Sequence, residues 1–101
     1  MTLRLDPAAN AETHEAAVWY EEQQHGLGVE FLAAVDSAMH QIEQSPQRYA
    51  RLETIPEEAD VRRLVLDRFP YAIIFEAVED EVRILAVAHT HRRPNYWKGR
   101  Q

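Results

Sequence analysis

The residues best equipped for chemistry are His89, His91, Arg92, Arg93 and Tyr96, with Arg62 and Arg63 upstream. As a set they hold what RNA cleavage by 2′-hydroxyl attack requires. A base takes the hydroxyl proton, an acid protonates the leaving oxygen, and cations hold the phosphate. Histidine transfers protons near neutral pH, and a guanidinium grips phosphate through paired hydrogen bonds. Arg62, His89, Arg92 and Tyr96 are the candidate catalytic residues of that reading. His89 and His91, two apart on a strand, would share a face and suggest the start of a metal site. No third ligand follows at useful spacing and there is no cysteine, so neither metal nor cofactor is expected.

The same stretch also reads as a protein-binding surface. Arg, Tyr and Trp dominate interface energetics when clustered, and Arg92-Arg93-Pro94-Asn95-Tyr96-Trp97-Lys98 clusters them, with Pro94 stiffening the segment. Arg92, Arg93, Tyr96 and Trp97 are the candidate target-binding residues. A plainer role for Trp97 is a lid folded back on the sheet, with the arginines paired to acids such as Glu21, Glu22 or Glu76. Adjacent strand positions point opposite ways, so one acidic face would not neutralise both Arg92 and Arg93. The charge distribution favours a contact surface at this end. No acid follows Glu81, and positions 82–101 carry +5 against −11 for positions 1–81. A net charge of −6 lacks the broad cationic stripe of proteins that hold nucleic-acid backbones, so direct DNA binding is not expected.

These groups need elements to hold them. Residues 2–5 form a short strand candidate, and Asp6-Pro7 is a helix start, with Asp as cap and Pro at the first helical position. That helix runs to about His25, with Ala9, Thr13, Ala16, Ala17 and Tyr20 on a small-residue face open to close approach. Gly26-Leu27-Gly28 reverses the chain. A second helix over about 28–44 carries a stripe of Leu32, Val35, Met39 and Ile42, flanked by Phe31 and Ala38, and stops at Ser45-Pro46. Residues 46–60 connect, with acids at Glu57, Glu58 and Asp60. Strands are predicted at about 61–67, 70–78 and 81–90, Pro70 being tolerable at a strand start and Glu79-Asp80 making a hairpin turn.

The outcome is an α+β chain of order β-α-α-β-β-β, one domain over 1–101, with an antiparallel-rich sheet and a two-helix hairpin on one face. The last two strands alternate poorly for a sheet covered on one side. Tyr71, Ile73 and Phe75 oppose Ala72, Ile74 and Val78, while Val82, Ile84, Ala86 and Ala88 oppose Leu85 and Val87. Two helices shield only one face, so an apolar patch is expected on the other, leaving the molecule incomplete until a partner docks. A strongly twisted sheet, its second face filled by chain ends or by the 46–60 connector, is the alternative. No apolar run approaches the ~20 residues of a membrane-spanning helix. The opening MTLRLDPAAN lacks the layout of a secretory signal. A cytoplasmic location and no membrane partner are therefore the expectation.

Arg62-Arg63, Arg68-Phe69-Pro70-Tyr71, Val87, His89, Arg92-Arg93, Pro94 and Trp97 resemble, in order and spacing, the ParE branch of the RelE/ParE toxin superfamily. Trp19-Tyr20-Glu21-Glu22, Gly26-Leu27-Gly28 and Ser45-Pro46 extend the resemblance across nearly the full chain. It implies the same fold and a non-enzymatic toxin of a type II toxin–antitoxin system that inhibits DNA gyrase. It also implies a cognate ParD-like ribbon-helix-helix antitoxin, whose disordered segment folds onto the toxin. Trp19, Tyr20, Phe31, Leu32, Ile73 and Phe75 are the candidate antitoxin-binding residues. The RelE branch instead cleaves ribosome-bound mRNA with clustered Lys, Arg and Tyr or His. This sequence departs from that pattern, since Lys98 is its only lysine. A toxin-fold protein that binds its antitoxin without toxicity is the third reading.

Overall fold

The structure, a computed structural model, describes residues 2–53 and 59–101. Glu57 and Glu58 lie outside the described residues. The elements are β1 (Thr2–Leu5), α1 (Pro7–Gln23), α2 (Leu27–Gln44), a 3₁₀ turn (Pro46–Arg48), β2 (Val61–Val65), β3 (Tyr71–Val78), β4 (Glu81–His89) and a second 3₁₀ turn (Lys98–Arg100). They form one sheet of order β1-β4-β3-β2, with β1 parallel to β4 and the other pairs antiparallel. The expected α+β architecture is the one observed. The last strand ends at His89, so Arg92 and Arg93 sit in the turn beyond it and not on a strand.

Asp6 caps α1 by accepting a hydrogen bond from the Ala8 N–H at 2.8 Å, and Pro7 opens the helix where its missing N–H costs nothing. Ala9, Thr13, Ala16 and Ala17 are buried. Their small side chains let α2 approach so closely that a Cβ on Gly28 would lie 2.5 Å from the Ala17 carbonyl oxygen. The hairpin turn is held by Glu21, whose carboxylate accepts from the Gly26 N–H at 3.0 Å and the Gly28 N–H at 3.0 Å. Those backbone donors hold its pKa below the ordinary carboxylate value. Gly26 has φ 87°, which suits glycine alone at low cost.

The buried stripe of α2 is Phe31, Val35, Ala38 and Ile42, one step round from the stripe expected, which leaves Leu32 exposed and Met39 half-buried. Phe31 fixes this rotation. It packs 5.2 Å from the Tyr20 ring, 5.1 Å from Phe69 and 5.1 Å from Tyr71, so the Arg-Phe-Pro-Tyr turn delivers two aromatics to the helices.

The second face of the sheet is where the structure overturns the main expectation. Between Ile74 and Phe75 the β3–β4 register slips, pairing Ile74 with Ala86 and Phe75 with Ile84. Leu85 is the extra residue of that bulge. It flips the inward set, so Val82, Ile84 and Val87 face the helices while Leu85, Ala86 and Ala88 face the other way. Poor alternation thus has a local cause. Nor is this second face open. Trp97 is 3% exposed and caps Val61, Ala72, Ile74, Leu85, Ala86 and Ala88, with Tyr96, Leu52 and Ala59 packed around them. The chain covers its own second face, the alternative expected for it, and among the described residues Val65 at the sheet edge is the one large apolar side chain left exposed there.

One carboxylate anchors that cover. β1 stops opposite Ile84, so the β4 edge has no strand beside it from Leu85 onward. Glu12 of α1 fills the gap, accepting from the Val87 N–H at 3.1 Å. Arg100 donates to the Leu85 carbonyl at 3.0 Å and to both Glu12 oxygens at 2.9 and 3.2 Å. The Tyr96 hydroxyl donates to the same carboxylate. A side-chain ion pair stands in for a strand, and in doing so binds residues 96–100 to α1.

Three outcomes are expected. Trp97→Ala should cost about 3–5 kcal/mol in denaturant unfolding, the range for a large aromatic removed from a core. Glu12→Ala should cost on the order of 3 kcal/mol, because it strands the mostly buried Arg100 cation and a backbone donor. Glu21→Gln should lower the melting temperature at pH 7. Because the folded pKa of Glu21 is depressed, its contribution is complete above the unfolded value of about 4.3 and disappears as pH falls through the folded one. Melting curves of mutant and wild type should therefore converge in acid.

Candidate functional site

The cover over the second face leaves a cleft of about 550 Å³ beside it. Its floor is apolar, built from Ala72, Ile74, Ala88 and Trp97, and its rim carries Arg51, Arg63, His89, Arg92 and Arg93. Glu53 is the one carboxylate among its described lining residues. Arg63 reaches this side because it shares the face of Val61 and Val65 on β2. Both Arg63 and Arg93 are exposed, and neither makes an ion pair with another described residue. Arg92 stacks on Tyr96, its guanidinium carbon 4.0 Å from the ring centroid, and lies 4.0 Å from Glu12. Arg100 lies 5.1 Å from the same ring. Tyr96 is thus a fixed platform for one cation of the rim.

The four residues of the nuclease reading are not brought together. Arg62 projects from the opposite face of β2, where its Nε donates to Asp60 at 2.8 Å and its Nη1 to the Gln47 and Tyr49 carbonyls at 3.0 and 2.8 Å. It pins the connector. The Tyr96 hydroxyl is spent on Glu12; burial, reinforced by that hydrogen bond and by the carboxylate charge, pushes its pKa far up, so it stays a neutral phenol. His89 does line the cleft, with its Nδ1 accepting from the His91 N–H at 3.1 Å. His91 lies past the strand end, so the two imidazoles meet across a turn at 5.3 Å and not along a strand face. Among the described residues no three His, Cys, Asp or Glu side chains converge.

Of the residues expected to meet a target, Arg92 and Arg93 are exposed and Tyr96 is half-buried, whereas Trp97 is core and serves as the cleft floor. Of those expected to meet an antitoxin, Trp19 and Leu32 are exposed and Tyr20 is half-buried. Phe31, Ile73 and Phe75 are fully buried between helices and sheet and present no surface. The helices pack on that sheet face, which is why its large side chains are hidden. An apolar groove of about 460 Å³ does run along the hairpin, lined by Leu5, Val29, Leu32, Ala33 and Met39. Val18 and Val29 add exposed apolar surface on the two helices.

Sequence reasoning missed Glu12 and Arg100. The signal for Glu12 was present: Ala9, Glu12, Thr13 and Ala16 follow i, i+3, i+4, i+7, an acid set into an otherwise small and buried stripe. Such a charge needs a cation from elsewhere in the chain. Glu21, Glu22 and Glu76 are the acids expected to pair with the arginines, and among the described residues none of the three makes an ion pair with Arg92 or Arg93.

With the geometry in place, similarity to known proteins is informative. The family described as "ParE toxin of type II toxin-antitoxin system, parDE" matches residues 3–94. No curated protein matches the chain. A solved structure described as "Chromosomal ParDE TA system from P. aeruginosa" superposes with a TM-score of 0.65 at 24% identity, covering 88% of this chain and 95% of that one. At that identity the superposition speaks for the fold. The family match spans almost all of the sequence, from within β1 through β4 to the turn that carries Arg92 and Arg93. The chain belongs to the ParE toxin family of type II toxin–antitoxin systems.

Proposed function

We propose that this ParE-family toxin acts by gripping DNA gyrase with its cationic cleft, and that a ParD-like ribbon-helix-helix antitoxin silences it from the helix hairpin. The observation that carries the first half is the pair Arg63 and Arg93, without acidic partners among the described residues above an apolar floor. Unpaired guanidinium groups beside buried aromatics are the composition of a protein-binding hot spot. Arg92 joins them, oriented by Tyr96, and Trp97 holds the floor from beneath. The acidic body disfavours direct contact with DNA, so operator binding falls to the antitoxin. The structural relative from P. aeruginosa is described as a ParDE system, which supports an antitoxin partner here. On this chain the apolar groove beside Leu32 and Val29, with Trp19 and Tyr20 near the hairpin turn, supplies the surface for it.

No catalytic step is part of this reading. Arg62 is committed to Asp60 and the connector, and the Tyr96 phenol to Glu12, which removes two of the four groups a nuclease would use. Action by occupying a partner fits the remaining ones.

Supercoiling by purified gyrase should be inhibited by the protein while transcripts in a translating extract stay intact. Transcript cleavage with normal supercoiling would replace this reading by the RelE-like nuclease, and silence in both assays by an inert toxin fold. The double substitution Arg92→Ala, Arg93→Ala should abolish growth arrest, with antitoxin affinity changed by less than about threefold, since rim residues outside an interface contribute little to it. Loss of both activities together would mean that one surface serves both partners.

A further inference from the structure

β2 is an edge strand, and only part of its outer edge is used. Residues 50–52 run alongside it: the Leu52 N–H donates to the Val61 carbonyl at 2.9 Å, and the Arg63 N–H donates to the Ala50 carbonyl at 3.1 Å. Backbone groups alternate in direction along a strand. Val61 and Arg63 point outward and Leu66 points inward, its N–H donating to the Tyr71 carbonyl at 2.9 Å. Val65 must therefore direct both its N–H and its carbonyl outward. No hydrogen bond to either is made among the described residues, and the Val65 side chain is 47% exposed. An unpaired, apolar strand edge is a template for another strand.

What surrounds this edge is unusual for an idle one. On the second face it borders the cationic cleft, where Val65 stands beside Arg63 and Arg93. On the helix face it borders a different hollow of about 380 Å³, where Ala34, Ala38, Leu64 and Leu66 are joined by Ser37, Gln41, Tyr49, Asp67 and Arg68. Side chains of an added strand alternate between the two faces. Every second one would enter a cationic hollow, and those between would enter one of mixed lining, in which Ala34, Ala38, Leu64 and Leu66 supply the apolar surface.

We infer that the free Val65 edge of β2 is a strand-docking site for an extended segment of a partner protein, in which carboxylate side chains alternate with apolar ones. Main-chain pairing at Val65 supplies affinity, and the two hollows read the alternation. The carboxylates meet Arg63 and Arg93 through charge-assisted hydrogen bonds. A basic or an uncharged segment leaves those cations uncompensated. This goes beyond the gyrase reading and does not depend on it, because the edge and hollows would select such a segment whichever protein carries it.

The test uses the full chain and synthetic peptides, with titration calorimetry as the readout. One peptide alternates Leu and Glu, a second has the same composition in two blocks, and a third alternates Leu and Lys. The alternating Leu/Glu peptide should bind about tenfold more tightly than either other, a difference of ~1.4 kcal/mol. Val65→Pro, which deletes the edge donor at a position where proline is tolerated, should cost a similar factor. Should that variant fail to fold, N-methylation of the peptide backbone makes the same test from the other side. Arg63→Glu with Arg93→Glu should switch preference to the lysine peptide. Equal binding of the blocked peptide, indifference to Val65→Pro or to N-methylation, or no binding up to millimolar concentration would overturn the proposal. A homodimer dissolved by Val65→Pro would also overturn it, assigning the edge to a second copy.

Discussion

A single carboxylate, Glu12, couples three parts of this molecule that would otherwise be independent. It lies on the first helix, it satisfies a backbone donor on the unpaired stretch of β4, and it receives Tyr96 and Arg100 from the segment that follows the sheet. The combination explains why a charged group is tolerated among alanines. Its lone pairs are used by donors that themselves need acceptors, so desolvation is offset at both ends. It also sets the site. With residues 96–100 tied to α1, Trp97 lies flat against the second face, and Arg92 is held against a ring that cannot swing away. The cleft exists because Glu12 fixes one of its walls.

The bulge at Leu85 completes the arrangement. A regular β4 would have placed Val87 on the same side as Leu85 and given the helices one fewer large side chain. The extra residue turns Val87 inward toward Phe31, Val35 and their neighbours while leaving Leu85, Ala86 and Ala88 as a bed for Trp97. The same irregularity puts the Leu85 carbonyl where Arg100 reaches it. One inserted position thus serves both cores and a hydrogen bond between them. The molecule is closed on both faces of its sheet, so the partner surfaces proposed above rest on the hairpin groove and on Arg63 and Arg93, not on an unfinished core.

Much of the fold was legible because it obeys local rules. Asp6-Pro7 starts a helix, Gly26 ends the turn that follows, Ser45-Pro46 stops the second helix, and strand boundaries fell within a residue or two of those expected. Face assignments were harder. The α2 stripe could be drawn through Leu32 and Met39 or through Phe31 and Ala38, and only the tertiary aromatic cluster around Phe31 chooses between them. The β4 bulge leaves no residue-type signature, since Ile84, Leu85 and Ala86 suit either face. At the site, Arg92, Arg93 and His89 were picked out by type and position, whereas Arg62 and Arg63 looked equivalent and proved opposite. Their fates follow from strand alternation once β2 is placed. Glu12 and Arg100 were hidden by distance, 88 positions apart in the sequence.

That distance has a consequence for synthesis. Glu12 emerges from the ribosome early, but its partners at Val87, Tyr96 and Arg100 follow 75, 84 and 88 positions later. β1 likewise waits for β4, its only neighbour in the sheet. The helical hairpin is rich in local contacts and forms quickly, but it has nothing to rest on until the second half of the chain is made. A nascent chain therefore displays Phe31, Val35 and Ile42 to water for most of its translation. An interrupted translation product ending before Arg100 would carry the basic turn without the wall that shapes it, so the cationic cleft is assembled last.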